Sequence, residues 1–327
     1  MSFNRKFDFR DLWPMLKQTF NEWNEDDPFR HSAIIAFYAI FSLPALLIII
    51  ITVAGFFVGE DAVQGELSEQ INEMIGQEAA TGIETMIANS AQKDNSTLAT
   101  IIGIGTLLFG ATAVFYQLQK SLNILWGVEV KKEAGIKKLV VDRATSLGVI
   151  LAIGFLLLIS LTLTTLLSAL NEWISQLLPD FMIYVFFIIN FVVSFGIITV
   201  LFAMIYKILP DVEIGWKSVW IGAAITALLF EIGRFGLGIY FGNSDPASAF
   251  GAAGSVILIL LWVSYSCLIL FFGAQFTKVY SQWYGHGIRP SSHAMKRSEL
   301  IMEREKKKAE VFEKHRKPRA SSTKVKG

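Results

Sequence analysis

Residues 33–58 read AIIAFYAIFSLPALLIIIITVAGFFV, twenty-six consecutive positions without a charge. As an α-helix this run is about 39 Å long, which exceeds the roughly 30 Å hydrocarbon core of a bilayer. No water is available at that depth, so the backbone must close its hydrogen bonds within the segment, and a helix does so. Five further apolar runs follow, at about 97–119, 144–169, 182–206, 218–241 and 252–277. Alternating ten-residue strands of the outer-membrane barrel type are absent. With 53% hydrophobic residues and a mean hydropathy of +0.49, the 327-residue chain is too apolar for an ordinary soluble domain.

The charges between the runs set the orientation. Arg5, Lys6, Arg10, Lys17 and Arg30 precede the first run, Lys120, Lys131, Lys132, Lys137, Lys138 and Arg143 follow the second, and Lys207 and Lys217 follow the fourth. The tail after the sixth run is densely basic. The other side carries Lys93 against Glu60, Asp61, Glu66, Glu69, Glu73, Glu78, Glu84, Asp94, Glu172, Asp180 and Asp245. Short loops rich in Lys and Arg stay cytoplasmic. The expected fold is therefore an all-α polytopic membrane protein with six transmembrane helices and both termini cytoplasmic. The first run is longer than a signal-peptide core and follows a polar segment, so it is expected to be retained.

Three regions follow from this pattern: a cytoplasmic amphipathic segment 1–32, a membrane domain 33–285 with an external acidic insert 59–96, and a basic cytoplasmic tail 286–327. Within 9–24, Leu12, Leu16, Phe20 and Trp23 share a helical face, Asp11 can cap the start and Pro14 sits in the first turn. Such a helix suits the inner headgroup layer. In the insert, Leu67, Ile71, Met74 and Ile75, then Ile83, Met86 and Ile87, recur at helical spacing. Gly76 and Gly82 punctuate the join, predicting two short acidic helices that cap the bundle or lie on the outer surface.

Enzymatic constellations are lacking. His31, His286, His293 and His315 show no metal-ligand spacing, and the single cysteine, Cys267, excludes an intrachain disulfide and a cysteine-based zinc site. There is no phosphate-binding glycine loop and no nucleophile elbow. The basic tail lacks the aromatic interleaving of a nucleic-acid module. Catalytic residues, metal and cofactor are therefore expected to be none, and nucleic acid is not an expected partner.

The polar groups inside the apolar runs are the candidate site. Glu231 and Arg234, spaced i, i+3 near the middle of the fifth run, share a helix face and can pair. A charge at that depth costs about 2.5–3.5 kcal/mol on insertion scales, so the pair should face the bundle interior or a water-filled cavity. It is either a polar waypoint for an ion, proton or headgroup, or an ion pair that fixes packing. Asn190 in the fourth run and Gln275 at the end of the sixth are candidate neighbours, with Gln275 lining a vestibule or capping its helix. Lys278 is expected to snorkel. Pro44 interrupts the first run as a helix kink. Hydroxyls at Ser160, Thr164 and Ser168, and at Ser264, Tyr265 and Ser266, are read as packing groups. Gly103, Gly105 and Gly110, and Gly233, Gly236 and Gly238, permit close helix approach.

Four stretches carry a resemblance: SAIIAFYAIFSLPALLIII (32–50), FGATAVFYQLQKSLNILWGV (109–128), LPDVEIGWKSVWIGAAITALLFEIGRFGLGIYF (209–241) and FGAAGSVILILLWVSYSCLILFFGAQFTKVY (250–280). In this order they resemble the YihY/BrkB family of bacterial inner-membrane proteins. The family commonly has an acid where this chain has Gln275, so a role that needs a charge there is in question. Members once carried a ribonuclease label, which lacks support in these residues. The resemblance implies lipid handling for the cell envelope, with membrane lipids as partners. The alternative is a non-transport scaffold that recruits an envelope protein through 59–96. A homo-oligomer is compatible with either reading.

Overall fold

The computed structural model describes residues 8–90, 97–131, 140–156, 159, 181–243 and 253–316, almost all of them helical. Helix α1 (Leu12–Glu25) leads through a tight turn into α2 (Pro28–Val58). Then come α3 (Glu60–Ile75), α4 (Gln77–Ser90), α5 (Thr97–Leu125) and α6 (140–156). Helices α7 (Phe181–Ile208), α8 (Trp216–Asn243), α9 (Gly254–Tyr284) and α10 (Arg297–Arg316) complete the order. Among the described residues, four helices are long and apolar enough to span a bilayer: α2, 191–208 of α7, 216–240 of α8, and α9. The chain is a helical membrane protein. The expected third span falls on α6, and its residues 160–169, with Ser160, Thr164 and Ser168, lie outside the described residues.

Helix α9 is the axis of the bundle, packing against α1, α2, α4 and α8, while α2 also packs on α5 and α7 on α8. The core between them is aliphatic and aromatic: Ile50, Leu122, Ile150, Tyr206, Val219, Ile259 and Phe271 are all 2% exposed or less. Helix α2 continues through Pro44 without a break. Helix α9 outlasts its apolar run by seven residues, from 277 to Tyr284, because Thr277, Val279, Tyr280 and Ser281 stay buried.

At one end of the bundle, α3 and α4 form a cap. Gly59 and Gly76, at φ +94° and +96°, make the turns that begin and divide it. Val63, Leu67, Ile75, Ala79 and Ile83 enter the main core, so the insert packs onto the bundle rather than lying free. Gly82 is a contact point and not punctuation: a Cβ there would sit 2.6 Å from the Ser255 Cβ at the start of α9.

At the opposite end, two short strand pairs hold the loops. β1 (Val128–Val130) pairs antiparallel with β4 (Ala294–Lys296), and β2 (Val212–Glu213) with β3 (Arg289–Pro290). The segment after α9 thereby ties the α5–α6 and α7–α8 loops together. Arg304 of α10 bonds Glu129 at 2.6 Å and anchors the start of that helix.

Candidate functional site

The α8–α9 seam positions the intramembrane charges. The two helices run antiparallel and each carries a Gly-x-x-x-Thr motif: Gly222 with Thr226, and Gly273 with Thr277. A Cβ on Gly222 would lie 1.8 Å from Thr277 Oγ1, and one on Gly273 would lie 1.8 Å from Thr226 Oγ1. Each threonine donates to the glycine carbonyl of its own helix at 2.7 Å. Tyr206 of α7 donates to the Leu270 carbonyl at 2.7 Å and lies 3.0 Å from Thr226 Oγ1. Only glycine permits backbones this close.

Five residues beyond Thr226, about 7.5 Å along the axis, stands Glu231. Its Oε2 lies 3.1 Å from Arg234 Nη2, so the pair forms within α8. Glu231 is 12% exposed and Arg234 39%. Gly233, between them, faces Tyr265 and Ile269 of α9, where a Cβ would lie 2.7 Å from either side chain. Leu228, Ile232, Phe235 and Ile239 form an exposed apolar face beside the pair. The arrangement therefore offers a charged group at mid-helix next to an apolar wall.

The structure does not bring Gln275 to that pair. Gln275 lies beside Thr277, at the level of Gly222 to Thr226, and is fully buried. Its Nε2 donates to Glu22 of α1 at 2.7 Å, and α9 continues nine residues past it to Tyr284, so it does not cap the helix. Lys278 does not snorkel; it pairs with Glu22 at 3.1 Å and donates to the Leu125 carbonyl at 3.0 Å. Asn190 belongs to α7, and its side chain lies outside those described. Phe202 meets Phe230 and Tyr206 meets Thr226, so Asn190 lies about two turns past Arg234 toward the α3–α4 end.

Two polar clusters at the strand-pair end were not anticipated. The first fastens α1 to α9 through Glu22. Gln18 donates to Glu22 at 2.8 Å and accepts from Trp283 Nε1 at 2.9 Å. Tyr284 donates to Asp11, whose carboxylate makes no cap bond to α1. Asp26, in the α1–α2 turn, has its carboxyl pushed up chiefly by burial, against the opposing pull of Lys278 and with reinforcement from Glu22. The second cluster joins α5, α6 and the α7–α8 loop. Gln119 Nε2 donates to Asp142 at 3.2 Å and to Asp211 at 3.1 Å, and Asn123 Nδ2 donates to Asp211 at 2.8 Å. All four residues are buried. The only signal in the sequence was the i, i+4 spacing of Gln119 and Asn123.

Within the α3–α4 cap is a groove of about 540 Å³ lined by Asp61, Ser68, Glu69, Asn72, Gln77 and Glu84. Ser68 donates to Glu84 within it. Among the described residues no three His, Cys, Asp or Glu side chains are grouped to hold a metal ion.

Residues 19–298 match a family model described as virulence factor BrkB. The UPF0761 membrane protein of Saccharophagus degradans is 25% identical over 268 residues, covering 82% of this chain and 60% of its own length. The one from Tolumonas auensis is 26% identical over 198 residues, 58% of this chain and 60% of its own. A Yersinia pestis relative of the same name is 28% identical over 185 residues, 56% of this chain and 60% of its own. The chain thus spans about three fifths of the length of these curated relatives. No solved structure matches it.

Proposed function

The chain belongs to the virulence factor BrkB (YihY/BrkB) family, and from that membership and the geometry of α8 we propose that it moves or hands on a lipid or other amphiphile in the bacterial inner membrane. In this reading six helices cross the bilayer and both termini are cytoplasmic, as the Lys and Arg asymmetry favours. The strand-pair end then faces the cytoplasm and the α3–α4 cap faces outward. In this reading the protein moves or holds its ligand without chemical change, and Glu231 and Arg234 serve as a polar waypoint rather than as catalytic groups.

One observation carries the reading. The Arg234 side chain is 39% exposed at mid-helix although it pairs with Glu231. A guanidinium facing acyl chains is costly, so one retained there has polar company from solvent or from a headgroup. The neighbouring Ile232, Phe235 and Ile239 suit the tail of the same molecule. Native mass spectrometry of gently solubilised protein, beside the Glu231→Ala, Arg234→Ala double variant, tests it. A lipid enriched over the bulk membrane and lost in the variant is expected. Bulk lipid alone on both proteins would sink the proposal.

The second reading is a scaffold, and the acidic groove of the α3–α4 cap favours it. Deleting 59–96 would be ambiguous, because Val63, Leu67 and Ile83 belong to the core. Neutralising Asp61, Glu69 and Glu84 is cleaner: loss of function there, with the Glu231 variant active, selects the scaffold.

A further inference from the structure

Four polar atoms along the seam between α1, α2 and α9 are buried without a hydrogen-bond partner: Thr19 Oγ1, Trp23 Nε1, His31 Nε2 and Gln275 Oε1. Thr19 and Gln275 are fully buried and His31 is 3% exposed. Buried polar side-chain atoms in folded proteins have partners in the large majority, and each exception calls for a cause.

The four side chains lie along two turns of α9. The His31 ring meets Phe271 edge-on at 6.2 Å, and the Trp23 ring meets Phe272 edge-on at 6.0 Å. Gln275 reaches Glu22 of α1 at 2.7 Å. Met15, one turn before Thr19, clusters with Phe276, Val279 and Tyr280. Thr19 therefore lies between the Met15 and Trp23 contacts, level with Gln275. The remaining polar atoms of these side chains are already engaged. His31 Nδ1 is 3.1 Å from Ser121 Oγ, and Gln275 Nε2 is held by Glu22. The Glu22 carboxylate in turn takes bonds from Gln18 and Lys278.

The chemistry of the four atoms selects the ligand. The Trp23 N–H can only donate and Gln275 Oε1 can only accept. The Thr19 hydroxyl does either, and His31 Nε2 takes the role its tautomer leaves. A bare cation would be opposed by the Trp23 N–H, and an anion by the Gln275 oxygen. A neutral hydroxyl accepts and donates at once. We propose that this seam is a binding site for a hydroxyl, either a water molecule, which has the four hydrogen-bonding positions to serve Thr19, Trp23, His31 and Gln275 together, or the hydroxyl of an amphiphile headgroup, which serves three of them. The site stands apart from Glu231 and Arg234 and does not depend on the role proposed for them.

Thr19→Val in the full chain, reconstituted in lipid nanodiscs, tests the site through the sign of a stability change. Valine keeps the shape and removes the hydroxyl. If Thr19 bonds a bound hydroxyl, the variant unfolds about 2 °C lower or more. If Thr19 has no partner, a methyl in its place is welcome and the unfolding temperature rises, which overturns the proposal. A wild-type structure that resolves ordered water gives the second arm. A compact peak within hydrogen-bond reach of His31 Nε2 and Gln275 Oε1 identifies water, and a peak continuous with an acyl chain identifies an amphiphile. Direct pairing of these side chains with one another, or no peak between them, overturns the site.

Discussion

Gly222→Ala places a methyl carbon 1.8 Å from Thr277 Oγ1 and 2.7 Å from Thr277 Cβ. Ordinary carbon contacts begin near 3.5 Å, so about 1.5 Å must be found. Rotating Thr277 relieves only the hydroxyl. It breaks the 2.7 Å bond to the Gly273 carbonyl and leaves the Cβ contact in place. The helices must therefore also part, and the mirror-image contact of Thr226 on Gly273 loosens with them. Overpacking of a close interface costs about 1–3 kcal/mol, and a lost hydroxyl bond in a membrane helix adds about 0.6 kcal/mol. The total of roughly 2–4 kcal/mol should lower the unfolding temperature in nanodiscs by about 4–10 °C, read by tryptophan fluorescence. Thr277→Ala in the same chain removes the 1.8 Å collision but not the 2.7 Å one, so it should recover part of the loss. An unchanged unfolding temperature in Gly222→Ala, or losses that simply add in the double variant, would refute the reciprocal Gly–Thr clamp.

Asp26→Asn should stabilise the protein at neutral pH, because burial raises the folded-state carboxyl and the ionised form is the disfavoured one there. That gain should fade as the pH falls through the folded and then the unfolded carboxyl range, where both states bind the proton; a pH-independent effect would exclude the mechanism. Glu22→Ala should cost about 1–3 kcal/mol and expose 9–25 to proteolysis, since it strands the buried Gln275 amide and half-buried Lys278. A variant as protease-resistant as the wild type would show that α1 is held by its apolar face alone.

The apolar helices were readable because a bilayer demands long uncharged runs, and the insert because its apolar residues repeat at helical spacing. Their ends were less readable. Gln275, Thr277, Lys278 and Ser281 are polar enough to signal an exit from the membrane. Thr277 stays inside because it fills the gap at Gly222 of α8, and Gln275 and Lys278 because α1 covers them, a contact that joins residues about 250 apart, as in the Glu22–Gln275 bond. Strands of two or three residues, such as Val212–Glu213, are too short to show alternation. Of the glycines named for close approach, Gly233 lies against Tyr265 and Ile269 while Gly236 and Gly238 have nothing within 4 Å; the tightest approaches among the described residues, at Gly222 and Gly273, were not singled out. What separates them is a threonine four residues along each helix, placed to fill the partner's gap. Of the candidate site, the Glu231–Arg234 pair followed from local spacing. Gln275 did not follow, because its partner is set by α1 docking rather than by helix period.

The clamp bears on how a lipid would reach Arg234. From Gly222 to Gly233 the α8 backbone is pressed against Thr277, Gly273, Ile269 and Tyr265, so α8 cannot part from α9 without breaking these contacts. On its α7 side, Phe202 meets Phe230, and past them Phe195, Ile198 and Leu237 are still partly buried against the core. Beyond that level Ile188, Phe191 and Val192 of α7 are exposed, as are Phe235 and Ile239 of α8. In the proposed reading the approach to Arg234 would be lateral, along these exposed apolar residues in the half of the bundle nearer the α3–α4 cap. In the proposed reading a headgroup would meet the guanidinium from that side while its chain stays against those residues. The strand-pair end, stapled by Asp211, Gln119 and the β-pairs, would stay fixed.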